Sequence, residues 1–421
     1  MVAVLRSVKV TLLLVLALLS GCVAQHKVNS LAESLQVAGA DSTLAALEKI
    51  NPNNRDRAQY LLNRGTLYRL NGNIDASTED LEAAKSIMHS LQASSLSENF
   101  AALTINETLR SYAGTASERV LVHTVLAYNY LQQSDLASAR VEMLQADITM
   151  REVADGDTLR GQLASSHFLA GLIYELNGEW DNAMISYRSS ADILDQRGQP
   201  IPDAVQKSLL QTSLRQGLKE EYQRYSQRFA KTAQPLAQGE KELIVFYFDG
   251  TVSHKRQQTL SIYSFELKQQ ISLSVPYYAP HNSSANYYPR PLTLSVAGQS
   301  LRTGLIEDLE ILARNDFNDE IPAITAAATA RVVAKYQLVE KMRRERGDSM
   351  AALLNLASTI AEQADLRSWN MLPSSIQVAR IRIAADIDVE AMDLTNGLNA
   401  SELLKFNQGN TLLLLANSVG H

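Results

Sequence analysis

The stretch Gly171-Leu-Ile-Tyr174-Glu-Leu-Asn-Gly178-Glu-Trp180-Asp-Asn-Ala183-Met-Ile-Ser-Tyr187 decides how the chain is read. Its small residues, Gly171 and Ala183, are placed so that two antiparallel helices approach closely. Tyr174, Trp180 and Tyr187 supply the bulk between them, and Asn177-Gly178 turns the chain. One helical hairpin follows from these seventeen positions, and its frame can be sought elsewhere.

The frame recurs twice upstream. Gly65, Tyr68, Gly72, Ile74, Ser77, Leu81 and Ala84 occupy it first, then Ala127, Tyr130, Ser134, Leu136, Ala139, Met143 and Ala146. The three copies resemble tetratricopeptide units. Their anchors Gly65, Ala127 and Gly171 lie 62 and then 44 residues apart, against about 34 in an uninterrupted array, so insertions are expected between them. The stretch from Ser90 to Ser117 is the first insertion, with a short helix expected over Asn99 to Leu109, and is a candidate contact surface. Asp41 to Ile50, ending at Asn51-Pro52, reads as a capped helix and as a half repeat closing the array. At the other end Leu214, Leu218, Tyr222, Tyr225 and Phe229 recur at spacings of three and four, which predicts one long helix.

The N-terminus carries a different message. Arg6 and Lys9 precede an apolar run from Val10 to Leu19, then Leu19-Ser20-Gly21-Cys22. The run is half the length a spanning helix needs, so it reads as a secretory signal with a lipobox. Cys22 is the only cysteine, is expected to be acylated, and leaves no disulfide within the chain. Val23 follows it where an aspartate often retains bacterial lipoproteins in the inner membrane. Similarity to Gram-negative lipoproteins therefore implies the periplasmic side of the outer membrane. Removing residues 1–21 takes away two cations and no acids, moving the formal charge from −6 to −8. That balance argues against nucleic acid or anionic lipid as the main partner.

The period changes after residue 240. Leu243 to Phe248 reads as a buried strand ending in a tight turn at Asp249-Gly250, and further strands are expected at Ile271–Val275, Leu292–Val296, Ile376–Ile387 and Thr411–Leu415. A tyrosine- and proline-rich segment from Tyr277 to Pro291 reads as an ordered extended loop. A helical hairpin, opened by Pro322 and turned at Gly347-Asp348, interrupts the strands. The expected fold class is thus an α-helical tetratricopeptide-like repeat array followed by an α+β domain with a helical hairpin. The expected divisions are a signal at 1–21, a lipidated tether at 22–40, the array at 41–230, a linker at 231–240 and the α+β domain at 241–421.

Catalytic patterns are sparse. The seven histidines have no pair at metal-ligand helix spacing, and there is no glycine-rich phosphate loop, Gly-x-Ser-x-Gly elbow or Ser-x-x-Lys. Arg140, Glu142 and Gln145 read as the solvated face of a repeat helix; convergence of Glu118, His123 and Glu142 is the alternative, though spacing alone does not make a metal site of them. The Lys341-Met-Arg343-Arg344-Glu-Arg346 cluster suits a helix C-terminus. No enzyme activity, cofactor or metal is expected.

One block stands apart, Asp365-Leu-Arg367-Ser-Trp369-Asn-Met-Leu372-Pro373, followed by Ile376 to Arg380. With Glu118-Arg119, Val275-Pro276-Tyr277 and Ile321-Pro322, it resembles a family of uncharacterised Gram-negative lipoproteins with tetratricopeptide-like repeats. The resemblance implies an envelope location and association with lipoproteins of the kind that activate penicillin-binding proteins. Read from the residues alone, Trp369 and Leu372 pack a helix end against the sheet, Pro373 stops that helix, and Arg367 or Arg380 pairs with Asp365. Asp365, Arg367, Trp369 and Arg380 thereby form a candidate junction site. The expected function is a non-enzymatic, outer-membrane-anchored scaffold docking an envelope protein through its repeats. The alternatives are binding or processing of peptidoglycan through the C-terminal domain, or assembly of outer-membrane proteins.

Overall fold

The computed structural model describes residues 27–102, 110–156, 158–264, 269–278, 289–296, 299–350, 364–387, 393–394 and 404–419. The expected signal, Cys22 and the start of the tether lie outside the described residues, as do most of the tyrosine-rich loop and residues 351–363 of the second hairpin helix.

Helix α1, residues 27–47, is interrupted at Gly39, whose φ of 77° reverses the local hand. Four antiparallel hairpins follow: α2 (Arg57–Leu70) with α3 (Ile74–Ala102), α4 (Ala116–Gln132) with α5 (Leu136–Val153), α6 (Ala164–Leu176) with α7 (Trp180–Gln196), and α8 (Asp203–Arg215) with α9 (Lys219–Phe229). The tetratricopeptide-like array is therefore present and has one hairpin more than the three sequence frames. The fourth was read as a single helix because its apolar spacing runs unbroken through Gly217. That residue has φ of 69°, which breaks the helix and turns the chain as Gly72 and Gly178 do at 75°. In the second hairpin the same place is taken by Ser134, at φ 59°. The first part of the insertion expected from Ser90 is α3 itself, which runs on to Ala102. The short helix expected over Asn99–Leu109 falls largely outside the described residues.

The frame residues explain the close packing. A Cβ on Gly171 would stand 2.6 Å from the Tyr187 ring, and one on Gly65 would stand 3.0 Å from Leu81 Cγ. Ala84, Ala127, Ala139, Ala183 and Tyr187 are completely buried. Where α4 begins, Thr115 and Glu118 cap each other: Glu118 N–H donates to Thr115 Oγ1 at 3.3 Å and Thr115 N–H to Glu118 Oε2 at 2.9 Å.

The rest is a mixed α/β region. Strands β1 (Glu240–Asp249), β6 (Gly304–Asp308), β7 (Ser375–Ala384), β9 (Leu404–Gln408) and β10 (Thr411–Asn417) form one sheet in the order β6-β7-β1-β10-β9. β1 runs parallel to β10 and antiparallel to β7. β4 (Thr293–Val296), β5 (Gln299–Arg302) and β8 (Asp393–Leu394) form a small sheet, and among the described residues β2 (Lys255–Ser264) pairs with β3 (Gln269–Tyr278) alone. Asp249-Gly250 is thus no hairpin turn, because β1 and β2 are not neighbours. The chain leaves the sheet there with Gly250 at φ 68°. The long helix α10 (Leu309–Arg346) starts thirteen residues before Pro322, capped by Asp308, whose Oδ1 accepts from Ile311 N–H at 2.9 Å. Proline therefore lies inside this helix rather than opening it, at the expense of one backbone bond.

The arrangement is layered. Ile244, Phe246, Phe248, Val378, Leu413 and Leu415 point into the same hydrophobic cluster as the inner helices α2, α4, α6 and α8. Leu243, Val245, Tyr247, Leu412 and Leu414 point the other way, onto Leu292, Leu294, Val296 and Leu301 of the small sheet region. A strand covered on both faces needs an unbroken apolar run, which is why Leu243–Phe248 shows no alternation. The core does not divide at residues 231–240. Instead that segment is pinned, with Ala233 N–H donating to Tyr222 Oη at 3.0 Å and Arg382 Nη1 donating to the Pro235 carbonyl at 3.3 Å.

Two glycine substitutions separate backbone strain from packing. Gly178→Ala meets nothing within 4 Å, so it costs only the left-handed conformation, about 1–2 kcal/mol. Gly171→Ala, in ordinary helix, must push Tyr187 aside and costs about 1–3 kcal/mol. Denaturant unfolding checks both, and adding Tyr187→Leu should recover part of the second loss but none of the first.

Candidate functional site

The junction block is extended chain, not a helix end. Residues 364–369 have no helical turn, and Ala364–Ser374 lies against the inner helices of the array. Its polar groups are met one by one. Gln59 Nε2 donates to the Ser368 carbonyl at 2.9 Å and to Asn370 Oδ1 at 3.1 Å, and Asn63 Oδ1 accepts from Met371 N–H at 3.0 Å. Trp369 is fully buried, its Nε1–H donating to Thr66 Oγ1 and its backbone N–H to Glu118 Oε1, both at 2.7 Å. Glu118 Oε2 accepts from Tyr112 Oη–H as well as from Thr115. A capping glutamate thus reads the block from the array side.

The four candidate junction residues fall into two clusters. Asp365, Arg367 and Trp369 meet α2 and α4. Arg367 donates to both oxygens of Asp365 at 2.8 and 2.6 Å, to Asp56 Oδ1 at 3.0 Å and to the Arg110 carbonyl at 2.8 Å. Burial opposes its charge, but Asp365 and Asp56 outweigh that and hold the guanidinium firmly protonated. Arg380 is not part of this group. On β7 it faces α6 and α8, donating to Glu175 at 2.6 and 3.0 Å, to Glu242 Oε2 at 2.9 Å and to Ser208 Oγ at 2.9 Å. A third buried bridge joins the two regions where Glu307 of β6 accepts from Arg197, from Ser165 N–H at 3.1 Å and from Ser165 Oγ–H at 3.2 Å. These contacts make the junction a polar seam between the array and the sheet.

Beside this seam is a cleft of about 340 Å³ bordered by Arg110, Tyr112, Lys255, Glu320 and Asp365. Burial pushes the Glu320 carboxyl up, assisted by nearby Asp316. Lys255 is buried with its Nζ over the Phe317 ring at 5.6 Å.

The frame tyrosines share a second role at the array's edge. Tyr68 donates to Glu48 at 2.8 Å, Tyr130 to Glu82 at 3.0 Å, and Tyr174 lies 5.6 Å beneath Arg140. Trp180 lies at the start of α7, 4.0 Å from the guanidinium of Arg215 in the next hairpin. Of Glu118, His123 and Glu142, whose convergence is the alternative to a solvated face, His123 and Glu142 meet at 2.7 Å, with Lys85 Nζ donating to the same carboxylate at 2.7 Å. Glu118 faces the opposite side of α4, toward Trp369. Among the described residues no cluster of histidine, cysteine, aspartate and glutamate is arranged to hold a metal. The basic residues Arg343, Arg344 and Arg346 occupy the last turn of α10.

The outer side of the array is different in character. The groove between α3, α4 and α5 has a volume of about 440 Å³ and is lined by Lys85, His89, Arg119, His123, Glu142 and Glu152. Along it α5 exposes Val141, Leu144 and Ile148, at spacings of three and four. Ile185 of α7, equivalent to Val141 in the next frame, is 59% exposed. This apolar row was not singled out in the sequence, where it reads as part of an amphipathic helix with too wide an apolar face.

No family model and no curated protein matches this sequence. Among solved structures, a crystal structure of MamA is 17% identical and covers 45% of this chain and 85% of its own, with a TM-score of 0.29. The MSR-1 form of MamA is 16% identical, with 49% and 93% covered and a TM-score of 0.32. The apo form of RapI is 13% identical, with 45% of this chain and 47% of RapI covered and a TM-score of 0.34. Superpositions this loose leave the fold to be judged from the hairpins of the chain itself.

The buried pairs make a sharp test of the seam. Arg380→Met leaves Glu175 without its salt-bridge partner and Glu242 with the longer contact to Arg382 at 3.4 Å, and should cost about 3–5 kcal/mol, whereas Arg380→Met with Glu175→Gln and Glu242→Gln should recover most of it. Denaturant unfolding of the single and triple variants checks this, and equal losses in both would mean that the charges are solvated rather than sealed.

Proposed function

We propose that the protein is a protein-interaction scaffold that presents the outer helices of its repeat array. One observation carries this reading: the inner helices are covered by the chain's own sheet and by Ala364–Ser374, whereas α5 leaves Val141, Leu144 and Ile148 exposed beside the outer groove. Helical repeats bury continuous apolar surface between neighbours, and apolar residues in a row on the outside are retained at a solubility cost. A partner's apolar helix face laid along α5 would cover them, with the groove's charges giving register.

The lipobox ending at Cys22 supports a lipid-anchored location on the periplasmic side of the outer membrane, and the resemblance of the Asp365–Pro373 block supports membership of a Gram-negative lipoprotein family and a role in an envelope assembly. No described helix is long and apolar enough to cross a membrane. The activity is binding rather than catalysis. A second reading, action on cell-wall glycan, is favoured by the cleft bordered by Lys255, Glu320 and Asp365. Against it, the Arg367 guanidinium beside that cleft is committed to Asp365, Asp56 and backbone carbonyls.

Photocrosslinking in intact cells distinguishes the readings. Probes at Val141 and Ile148 should give discrete adducts with one or a few envelope proteins, and a probe at Ala323 beside the cleft should give none. Glycan adducts from Ala323 with silent outer probes would replace the scaffold by the cell-wall reading. In the same cells the protein should fractionate with the outer membrane and carry acyl mass on Cys22. Cys22→Ala should abolish both, and wild-type protein without acyl mass would end the lipoprotein assignment.

A further inference from the structure

Three arginines are deeply buried in the region where the array meets the sheet, and one lacks an acid. Arg367 and Arg380, 5% and 2% exposed, each hold two carboxylates. Arg69, in the last turn of α2, is equally buried at 5% exposure but its Nη1 donates only to neutral groups, Asn129 Oδ1 at 2.6 Å and Gln132 Oε1 at 3.2 Å. Its guanidinium carbon lies 5.6 Å from the centre of the Tyr128 ring and 5.7 Å from that of Phe248. Among the described residues no carboxylate offsets its charge, and burial pulls its pKa down to about 10. It is still cationic at neutral pH. A buried cation without a counterion costs several kcal/mol after relaxation, so the arrangement calls for a compensating group.

The same place has a small cavity. It measures about 50 Å³ and is lined by Arg69, Tyr128, Phe248, Leu309, Met371 and Leu372, among others. Two residues that border it each carry a buried polar atom with no hydrogen-bond partner, Arg69 Nη2 and Tyr128 Oη. The neighbouring hydroxyls are already engaged: Thr66 Oγ1 takes the Trp369 indole and Thr124 Oγ1 is bonded to Ser166 Oγ at 2.7 Å. What is missing is an acceptor, since a guanidinium N–H donates only and a phenol donates readily.

We propose that Arg69 and Tyr128 hold a small monovalent anion, of chloride or formate size, at the point where α2, α4 and β1 meet. Two donors supplied by a fixed cation and a phenol suit an anion, and the mostly apolar lining strengthens their attraction for it. One water needs roughly 10–15 Å³ of such space, so a group somewhat larger than water, such as a halide or formate, fits. The anion would neutralise Arg69 and join the array to the sheet. The site is independent of the outer groove.

Melting the protein at constant ionic strength while chloride replaces gluconate tests this. Above the dissociation constant, each tenfold rise in chloride should make unfolding about tenfold less favourable, and gluconate should have no such effect. Tyr128→Phe should move the onset to roughly tenfold higher chloride, and Arg69→Met should remove the dependence. In bromide-soaked crystals an anomalous peak should stand within hydrogen-bonding distance of Arg69 Nη2. An identical response in gluconate, a chloride response that survives Arg69→Met, or density there that does not scatter anomalously would each overturn the site in favour of plain water. If Arg69→Met does not fold, Tyr128→Phe and the bromide crystals decide.

Discussion

The structure depends on the burial of β1 on both faces. Its even-numbered side, Ile244, Phe246 and Phe248, is too apolar to face solvent and has the inner helices of the array as its partner. Tyr128 meets Phe246 edge-on at 5.2 Å and Phe248 at 5.3 Å, and Phe168 meets Phe246 at 5.8 Å. Edge-to-face rings at these distances add to the gain from burial alone. Without the sheet, α4 and α6 would expose a broad apolar strip. Without the array, the sheet would lose one of its two covers. The two regions therefore complete each other.

Hydrophobic contact brings the array and sheet together, but it does not choose the register. That selection comes from charges sealed at the seam. Glu118 accepts from Trp369, Glu175 and Glu242 grip Arg380, and Glu307 takes Arg197 and Ser165. A buried ion pair contributes little net stability relative to apolar packing, yet any sliding that separated these groups would leave uncompensated charge in a low-dielectric interior. The seam penalises every docking but one. Rigidity of this kind suits the proposed scaffold, because a partner on α5 would meet a surface whose geometry does not have to be ordered first.

Much of the fold was legible before any coordinates. The hairpin frame was written in residues whose role is local: Gly171 opposite Tyr187, Ala127 and Ala139 at helix contacts, Gly72 and Gly178 at left-handed turns. β1 was visible in its unbroken run for the same reason, since period and composition are local properties. The fourth hairpin escaped because the apolar spacing through Leu214, Leu218 and Tyr222 satisfies one long helix as well as two short ones, and only the positive φ of Gly217 separates them. α10 escaped at its start because a proline at position 322 suggests a helix opening, while the cap that governs is Asp308.

The junction shows the boundary most clearly. Its importance could be seen in the unusual run of Asp365, Arg367, Trp369 and Pro373, while the sequence leaves open whether Asp365 pairs with Arg367 or with Arg380, which the structure settles for Arg367. That Arg380 would turn instead to Glu175 and Glu242, that Glu118 would leave His123 and reach Trp369, and that Arg69 would be buried without an acid are all contacts across many tens of residues. By itself the sequence determined which segments become helix or strand and which small residues allow close approach, because those depend on neighbours along the chain. Only the tertiary structure decided which charges meet and which face of the array remains open, because partners distant in sequence are chosen by how the layers dock.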